Sequence, residues 1–221
     1  MHTHTQISES PAQTEGRMIR WASLYDGVVN ILTLGHARRL RILTVDQALL
    51  KPGEKVLDVG CGTGGVTIPA KLRVGKTGEV AGIDPAPEMI AVARRKASRA
   101  RLEIDFRVGV IESLSYPDAT FDAVTSSMMM HHLPEHLQVK GLAEIRRVLK
   151  PGGRLLIADM MRPSTSFAKR FSALVLRHGH AMRFGIEDLP ELLKGASFEE
   201  IEQLDAHFLV IGFVRATKLA A

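Results

Sequence analysis

Two acids and a run of glycines carry the most legible chemistry in this chain. Asp58 lies in Lys55-Val-Leu-Asp-Val59, just before Gly60, Gly62, Gly64 and Gly65, and Asp84 closes Glu79-Val-Ala-Gly-Ile-Asp84. Glycines lack Cβ, so the chain can turn sharply there and a ligand can come against the backbone N–H groups. An acid one βαβ unit further on sits beside that turn, at the carboxyl end of the neighbouring strand, where it can accept hydrogen bonds from two ribose hydroxyls. Gly60, Gly62 and Gly65 fit the G-x-G-x-x-G spacing of dinucleotide sites, whereas Gly60, Gly62 and Gly64 fit G-x-G-x-G. Asp58 separates the two: a carboxylate beside the turn opposes a pyrophosphate and favours a ligand with an ammonium and a sulfonium. The plain structural alternative is an aspartate that caps the turn.

These residues need a layered frame. Val56, Leu57 and Val59 read as a strand buried on both faces. A crossover helix over 66–72 follows, with Pro69 near its start. Strands are predicted at 79–84, 104–108 and 121–127, with helices over 87–100 and 134–149; Gly152 and Gly153 then turn the chain in a loop that leads into a fifth strand ending at Asp159. A last helix over 187–195 precedes strands at 199–204 and 206–217. Before the first strand, apolar residues recur at helical spacing from Trp21 to Leu32, and a second helix over 37–50 carries Arg38, Arg39 and Arg41. The alternation of strands and helices predicts an α/β, doubly wound, mostly parallel sheet.

Four stretches resemble the motifs of class I S-adenosylmethionine-dependent methyltransferases. They are Val56-Leu-Asp-Val-Gly-Cys-Gly-Thr-Gly64, Asp84-Pro-Ala-Pro-Glu-Met89, Gly109 to Asp122, and Leu149-Lys-Pro-Gly-Gly-Arg-Leu-Leu-Ile157. Tyr25-Asp26, followed by Gly35-His36 and the arginine run, resembles the segment before the core in the menaquinone and ubiquinone C-methyltransferase branch. The resemblance implies a Rossmann-like sheet of seven strands with the last antiparallel, an N-terminal helical cap, and S-adenosylmethionine as cofactor. It implies cofactor contacts at Tyr25, Asp58, Gly60, Gly62, Gly64, Asp84, Pro85, Met89, Val110, Ile111, Glu112, Ser126 and Ser127. Val110 departs from the pattern, standing where an acid normally bonds the adenine amino group. Adenine is then expected on backbone groups near Val110 and Ile111, and Glu112 on backbone N–H groups of its own loop. His131, His132 and Asp159, at the carboxyl ends of strands, are the candidate catalytic residues. Adjacent histidine side chains diverge and no third ligand is evident, so a metal is not expected.

The chain of 221 residues suits one domain: a polar, unordered tail over 1–16, including His2 and His4, a cap over 17–50, a core over 51–160, and a lid and hairpin over 161–221. Phe167, Phe171, Leu174 and Val175 share one stripe, among Lys169, Arg170, Arg177 and Arg183. The stripe reads as a lid over the pocket or, more sharply, as a basic amphipathic helix on a membrane. Lysine and arginine number 29 against 24 acids, a net charge of +5 that is modest for a soluble enzyme. The single cysteine, Cys61, excludes an internal disulfide framework and a cysteine-rich zinc site. No membrane span or signal segment is read, which makes the cytoplasm the default address.

Methyl transfer from a sulfonium needs alignment and the exclusion of water more than a nucleophile motif. The expected function is therefore methyl transfer to a small-molecule or lipid-like acceptor, with peripheral membrane contact open and no nucleic-acid partner. An NAD-dependent oxidoreductase and a cofactor-binding regulatory protein without turnover are the competing classes.

Overall fold

β1 (Lys55–Val59) is the middle of the sheet because its side chains are apolar in both directions. Val56 faces one helical layer and Leu57 the other, and both are fully buried. In this computed structural model, which describes residues 14–16, 22–162 and 184–219, seven strands form one sheet in the order β3-β2-β1-β4-β5-β7-β6. The strands are β2 (Glu79–Asp84), β3 (Asp105–Val108), β4 (Phe121–Ser127), β5 (Leu149–Met160), β6 (Glu199–Phe208) and β7 (Ile211–Thr217). β1 to β5 are parallel, and β7 lies antiparallel between β5 and β6. Leu57 pairs with Ala81 on one side and Val124 on the other.

The helices are α1 (Ala22–Leu32), α2 (Ala37–Gln47), α3 (Thr67–Val74), α4 (Pro87–Arg99), α5 (Glu135–Val148) and α6 (Leu189–Gly195). One core layer joins Leu57, Ile83, Leu155 and Ile157 to Leu142, Ile145 and Val148 of α5 and to Leu189 and Leu193 of α6. The other joins Val56, Leu156 and Phe213 to Leu40 and Val45 of α2 and to Ala70 and Val74 of α3. Arg154 fastens this second layer. Its guanidinium donates to both carboxylate oxygens of Glu54, at 2.9 and 2.6 Å, and to the carbonyls of Ala48 and Leu49 at 2.7 Å each. The turn that launches β1 is thereby held against β5.

The terminal hairpin differs from expectation. β6 runs on through Asp205 and Ala206 to Phe208, with its register shifting between Leu204 and His207, and the chain reverses at Leu209, whose φ is +54°. The shift absorbs an irregularity that the residue pattern reads as a strand end. At the other end of β7, Gly152 donates to the Lys218 carbonyl at 2.6 Å and Lys218 donates to the Gly153 carbonyl at 2.8 Å. The expected lid stripe, Trp21 and all but the last three residues of the expected tail lie outside the described residues.

α1 rests on α4 through Ala22 and Tyr25, which pack with Ala86, Met89 and Val92. A polar knot adds to this. Asp26 accepts from Arg41 of α2 at 2.8 Å, from Thr63 of the glycine loop at 3.0 Å, and from Lys96 of α4; Lys96 also donates to Thr63 at 2.9 Å. One carboxylate thus holds the cap, the loop and α4 together.

Candidate active site

A cleft opens at the carboxyl ends of β3, β2, β1 and β4, where a doubly wound sheet places its ligands. Along it, in spatial order, come Gly109 to Glu112 after β3, Asp84 and Pro85 after β2, Gly60 and Gly62 after β1, and Ser127 to Met129 after β4. Tyr25 closes it from the cap and Met89 from α4; His132 and Leu133 complete the wall.

Asp84 is held for its task. Its Oδ2 accepts from the Gly62 N–H at 3.0 Å and its Oδ1 from the Ala86 N–H at 2.9 Å. The two backbone bonds fix the carboxylate plane, and each oxygen keeps a lone pair for a further donor. Burial pushes its pKa up to about 6, against the pull of those two N–H groups. Burial, and then the nearby Asp84 charge, also raise the Tyr25 hydroxyl pKa.

The glycine loop turns its donors inward. Gly60 and Cys61 both donate to the Ile83 carbonyl at 2.9 Å, Gly62 donates to Asp84, and Gly64 donates to the Cys61 carbonyl at 2.9 Å. Four N–H groups that a pyrophosphate would need are therefore already engaged. Among the described residues lining the cleft, Asp84 and Glu112 are the acids, and none is lysine or arginine. Such a wall favours a cation over a phosphate.

Several residues expected at the ligand stand elsewhere. Asp58 is 2% exposed and does not line the cleft. Its oxygens accept from the Thr67 hydroxyl at 2.6 Å and the Thr125 hydroxyl at 2.8 Å, so it joins β1, β4 and the start of α3 from beneath the loop. Burial raises its pKa to about 6 despite those hydroxyl bonds. Gly64 also lies behind the cleft. Its φ is +79°, and a Cβ there would meet Phe106 at 3.3 Å and Ala93 at 3.4 Å. Ser126 is sealed, its Oγ without a hydrogen-bond partner, because alternate residues of β4 face opposite layers; Ser127 takes the cleft side.

His131 and Asp159 are likewise turned inward. His131 Nδ1 meets Asp159 Oδ1 at 2.5 Å, and Asp159 also accepts from the backbone N–H groups of His131 at 3.3 Å and Met160 at 2.7 Å. His132, whose ring centroid lies 4.0 Å from that of His131, faces the cleft instead. Glu112 does not bond its own loop as expected: Ser113 donates to the Val110 carbonyl and Leu114 to Glu144. Glu112 Oε2 is buried without a partner. Cys61 is buried and its thiol pKa is raised, by burial first and then by Asp58 and Asp84, which suits a packing residue.

The residue pattern missed Thr14 and Gly16 on the wall; Met128, Met129 and Leu133 reach it from the segment that follows β4 at its carboxyl end. Met128 takes the left-handed region, φ +57°, which is uncommon for a residue with a side chain and marks the loop after β4 as constrained. Its run of three methionines is the one signal the sequence offers there.

An S-adenosyl cofactor fits this cleft. The fixed acceptor at Asp84 suits ribose hydroxyls. Gly60 brings the backbone close, with φ +73° and no room for a Cβ. Met89, Ile83 and Ile111 supply apolar surface for a base, and the acidic wall suits a positively charged ligand.

Comparison with known proteins agrees. Residues 56–153 match a methyltransferase domain model. The chain is 38% identical over 157 residues to the demethylmenaquinone methyltransferase of Deinococcus radiodurans, an alignment covering 71% of this chain and 64% of that protein. It is 33% identical over 169 residues to the 2-phytyl-1,4-naphtoquinone methyltransferase of Synechococcus elongatus, covering 76% and 72%. A SAM-dependent methyltransferase structure from Aquifex aeolicus superposes with a TM-score of 0.69 at 23% identity, covering 90% and 98%, and shares the fold. The chain therefore spans just under two thirds of the Deinococcus protein's length and more than two thirds of the Synechococcus one. It belongs to the class I S-adenosylmethionine-dependent methyltransferases, in the branch that holds these relatives.

Proposed function

We propose that this protein methylates a ring carbon of a reduced, lipid-like quinol. The observation that carries the donor side is the cleft's charge: a fixed carboxylate at Asp84, no lining lysine or arginine among the described residues, and loop N–H groups spent inside the protein. The names of the two quinone-methylating relatives support the acceptor.

Bound there, S-adenosylmethionine supplies a methyl already activated on a positively charged sulfur. Asp84 takes the ribose hydroxyls, Met89, Val110 and Ile111 border the base, and Gly60, Gly62 and Ser127 border the methionine half. Tyr25 closes the cap side and helps exclude water. Alignment of this kind is worth roughly 7–11 kcal/mol in well-oriented reactions. A phenolic acceptor becomes nucleophilic at ring carbon when its hydroxyl loses a proton, which cleft-facing His132 would take; as the new carbon–methyl bond forms and the sulfur–methyl bond breaks, the ring carbon's own proton must then leave and the hydroxyl be reprotonated, releasing one proton overall. His131 and Asp159 hold the turn on which His132 sits. Residues 51–160 form the cofactor core and 22–50 its cap.

Leu24, Val28 and Ile31 recur at one-turn spacing on α1 and are exposed, as is Leu34 just beyond. Together with the net positive charge, this stripe supports contact with an anionic lipid surface during acceptor capture. Sedimentation with phosphatidylglycerol vesicles, but not phosphatidylcholine ones, is the expected result.

The test is transfer of a labelled methyl group to a panel of demethylated naphthoquinols, simple phenols, amines and phospholipids in detergent. Label is expected in the naphthoquinol under reducing conditions and absent from the oxidised quinone. Label confined to amines or phospholipids would overturn the acceptor. Thermal stabilisation by NAD and none by S-adenosylhomocysteine would overturn the donor.

A further inference from the structure

Charge, more than packing, fastens the cap to the cleft. Among the described side chains of α1, Ala22 is the buried one; Leu24 and Ile31 stand 67% and 75% exposed, and Val28 is exposed with them. A helix docked by its apolar face would show the reverse. Asp26 is the one charged residue of α1. It accepts from Arg41 of α2 at 2.8 Å, from the buried Thr63 hydroxyl at 3.0 Å and from Lys96 of α4, and Lys96 donates in turn to Thr63 at 2.9 Å. Thr63 directly follows Gly62, whose N–H fixes Asp84. Arg41 lies over the same loop, where a Cβ on Gly65 would meet its Nε at 2.9 Å. Tyr25, one residue before Asp26, covers Gly62, with 3.8 Å from its Cε1 to a Cβ placed there, and lines the cleft. The side chains of Arg41, Lys96 and Asp26 are 26%, 31% and 34% exposed, so water and salt weaken their pairing and make it reversible.

We infer that Asp26 is a positioning residue that gates the cofactor cleft. Paired with Arg41, Thr63 and Lys96, it seats Tyr25 over the glycine loop. Parted from them, α1 has little buried apolar surface to keep it down, and a segment so held opens locally at small cost. The turn from α1 to α2 supplies the pivot: Gly35 stands at φ +80° with open space where a Cβ would be. Lifting α1 takes Tyr25 off the loop, which lets S-adenosylmethionine enter and S-adenosylhomocysteine leave; re-pairing shuts the cleft for methyl transfer. Asp26 does not line the cleft, so it acts through Tyr25 and the loop rather than on the ligand.

The gate rests on the cofactor reading above, and the experiment separates the two. Stopped-flow fluorescence measures association and dissociation of S-adenosylhomocysteine for the wild type, Asp26→Ala, Asp26→Asn, Lys96→Gln and the Asp26→Ala/Lys96→Gln double variant. Asp26→Ala is expected to release the ligand at least tenfold faster and to bind it no more slowly than the wild type. Lys96→Gln should release it a few-fold faster, and the double variant no faster than Asp26→Ala, because both changes part the same link. Added sodium chloride should speed release from the wild type and leave that from Asp26→Ala nearly unchanged. Unchanged release from Asp26→Ala, or association slowed as a damaged site would slow it, would overturn the gate and leave the cofactor reading intact. Failure of the wild type to bind would overturn both. Should Asp26→Ala fail to fold by circular dichroism, Asp26→Asn, which keeps one acceptor oxygen, carries the same expectation at a smaller factor.

Discussion

His131 Nδ1 and Asp159 Oδ1 meet at 2.5 Å with both side chains shut from solvent, at 6% and 0% exposure. Asp159 lies in β5, whereas His131 sits in the turn that leaves β4, so the pair locks that turn onto the neighbouring strand. Two side chains whose residue types suggest proton chemistry are thus spent on positioning, and the cleft receives only the next residue, His132.

Removing that lock should be felt as stability. Asp159→Ala strips three hydrogen bonds from a buried site and is expected to destabilise by about 2–4 kcal/mol in urea unfolding. His132→Ala should leave unfolding within about 1 kcal/mol of wild type while lowering kcat for a phenolic acceptor by roughly 10²-fold. Equal stability loss in both, or an unaffected kcat in the second, would contradict this division of roles.

Asp84 should be indispensable to binding. Asp84→Ala removes the ribose acceptor and releases the Gly62 and Ala86 N–H groups, and calorimetry should show S-adenosylhomocysteine affinity reduced at least 100-fold with the far-ultraviolet spectrum unchanged. Asp84→Asn, which keeps one acceptor oxygen, should fall between. Asp58→Asn, by contrast, should weaken binding only a few-fold and act chiefly on melting, since its bonds run to Thr67 and Thr125.

Acid should move binding and stability in opposite directions. Asp58 and Asp84 both stand at about 6 in the folded chain, against roughly 3.9 for an unperturbed aspartate. A raised carboxyl pKa means the native state holds protons that the unfolded state releases. This contribution is full below about pH 4 and is lost as pH rises through about 6. Partial burial pushes Asp26, Glu54 and Asp122 up, but hydrogen bonds from Lys96, Arg154 and Lys150 outweigh it and hold them below the ordinary range, so they do not lose their partners until lower pH. From pH 7 to about 4.5 the Tm should therefore hold or rise, while cofactor affinity falls as Asp84 takes up its proton. A Tm that drops in step with affinity would count against it.

Two of the cleft glycines, Gly60 and Gly62, should differ in sensitivity. A Cβ on Gly60 would lie 2.5 Å from Met129 Cγ, at φ +73°, whereas on Gly62 the nearest contact is Tyr25 Cε1 at 3.8 Å. Gly60→Ala must displace Met129 and should abolish detectable cofactor binding. Gly62→Ala should cost about 1 kcal/mol in left-handed strain and weaken binding modestly, as equilibrium unfolding and calorimetry would show.

Much of this architecture was legible because strands buried on both faces and glycine turns leave local marks. Lys55 to Val59, Glu79 to Asp84 and Phe121 to Ser127 fall where their apolar runs place them. The direction of individual side chains left no such mark. Asp58 and Asp84 look alike in the chain, both acids near the same loop, and only the burial of the threonine hydroxyls around Asp58 separates a strut from a ligand. Ser126 and Ser127, and His131 and His132, are pairs in which one neighbour faces the cleft, and residue type cannot say which. Thr14 and Gly16 reach the wall from a stretch whose composition signals only polarity.

The bonds between Lys218 and the Gly152–Gly153 turn have a practical consequence. β7 runs antiparallel to β5, so it ends opposite Arg154 at the amino end of the parallel strands, away from the carboxyl ends where the cleft opens. A biotin or sensor-chip linker attached after Leu219 would therefore leave from the end of the sheet opposite the one that carries the cleft.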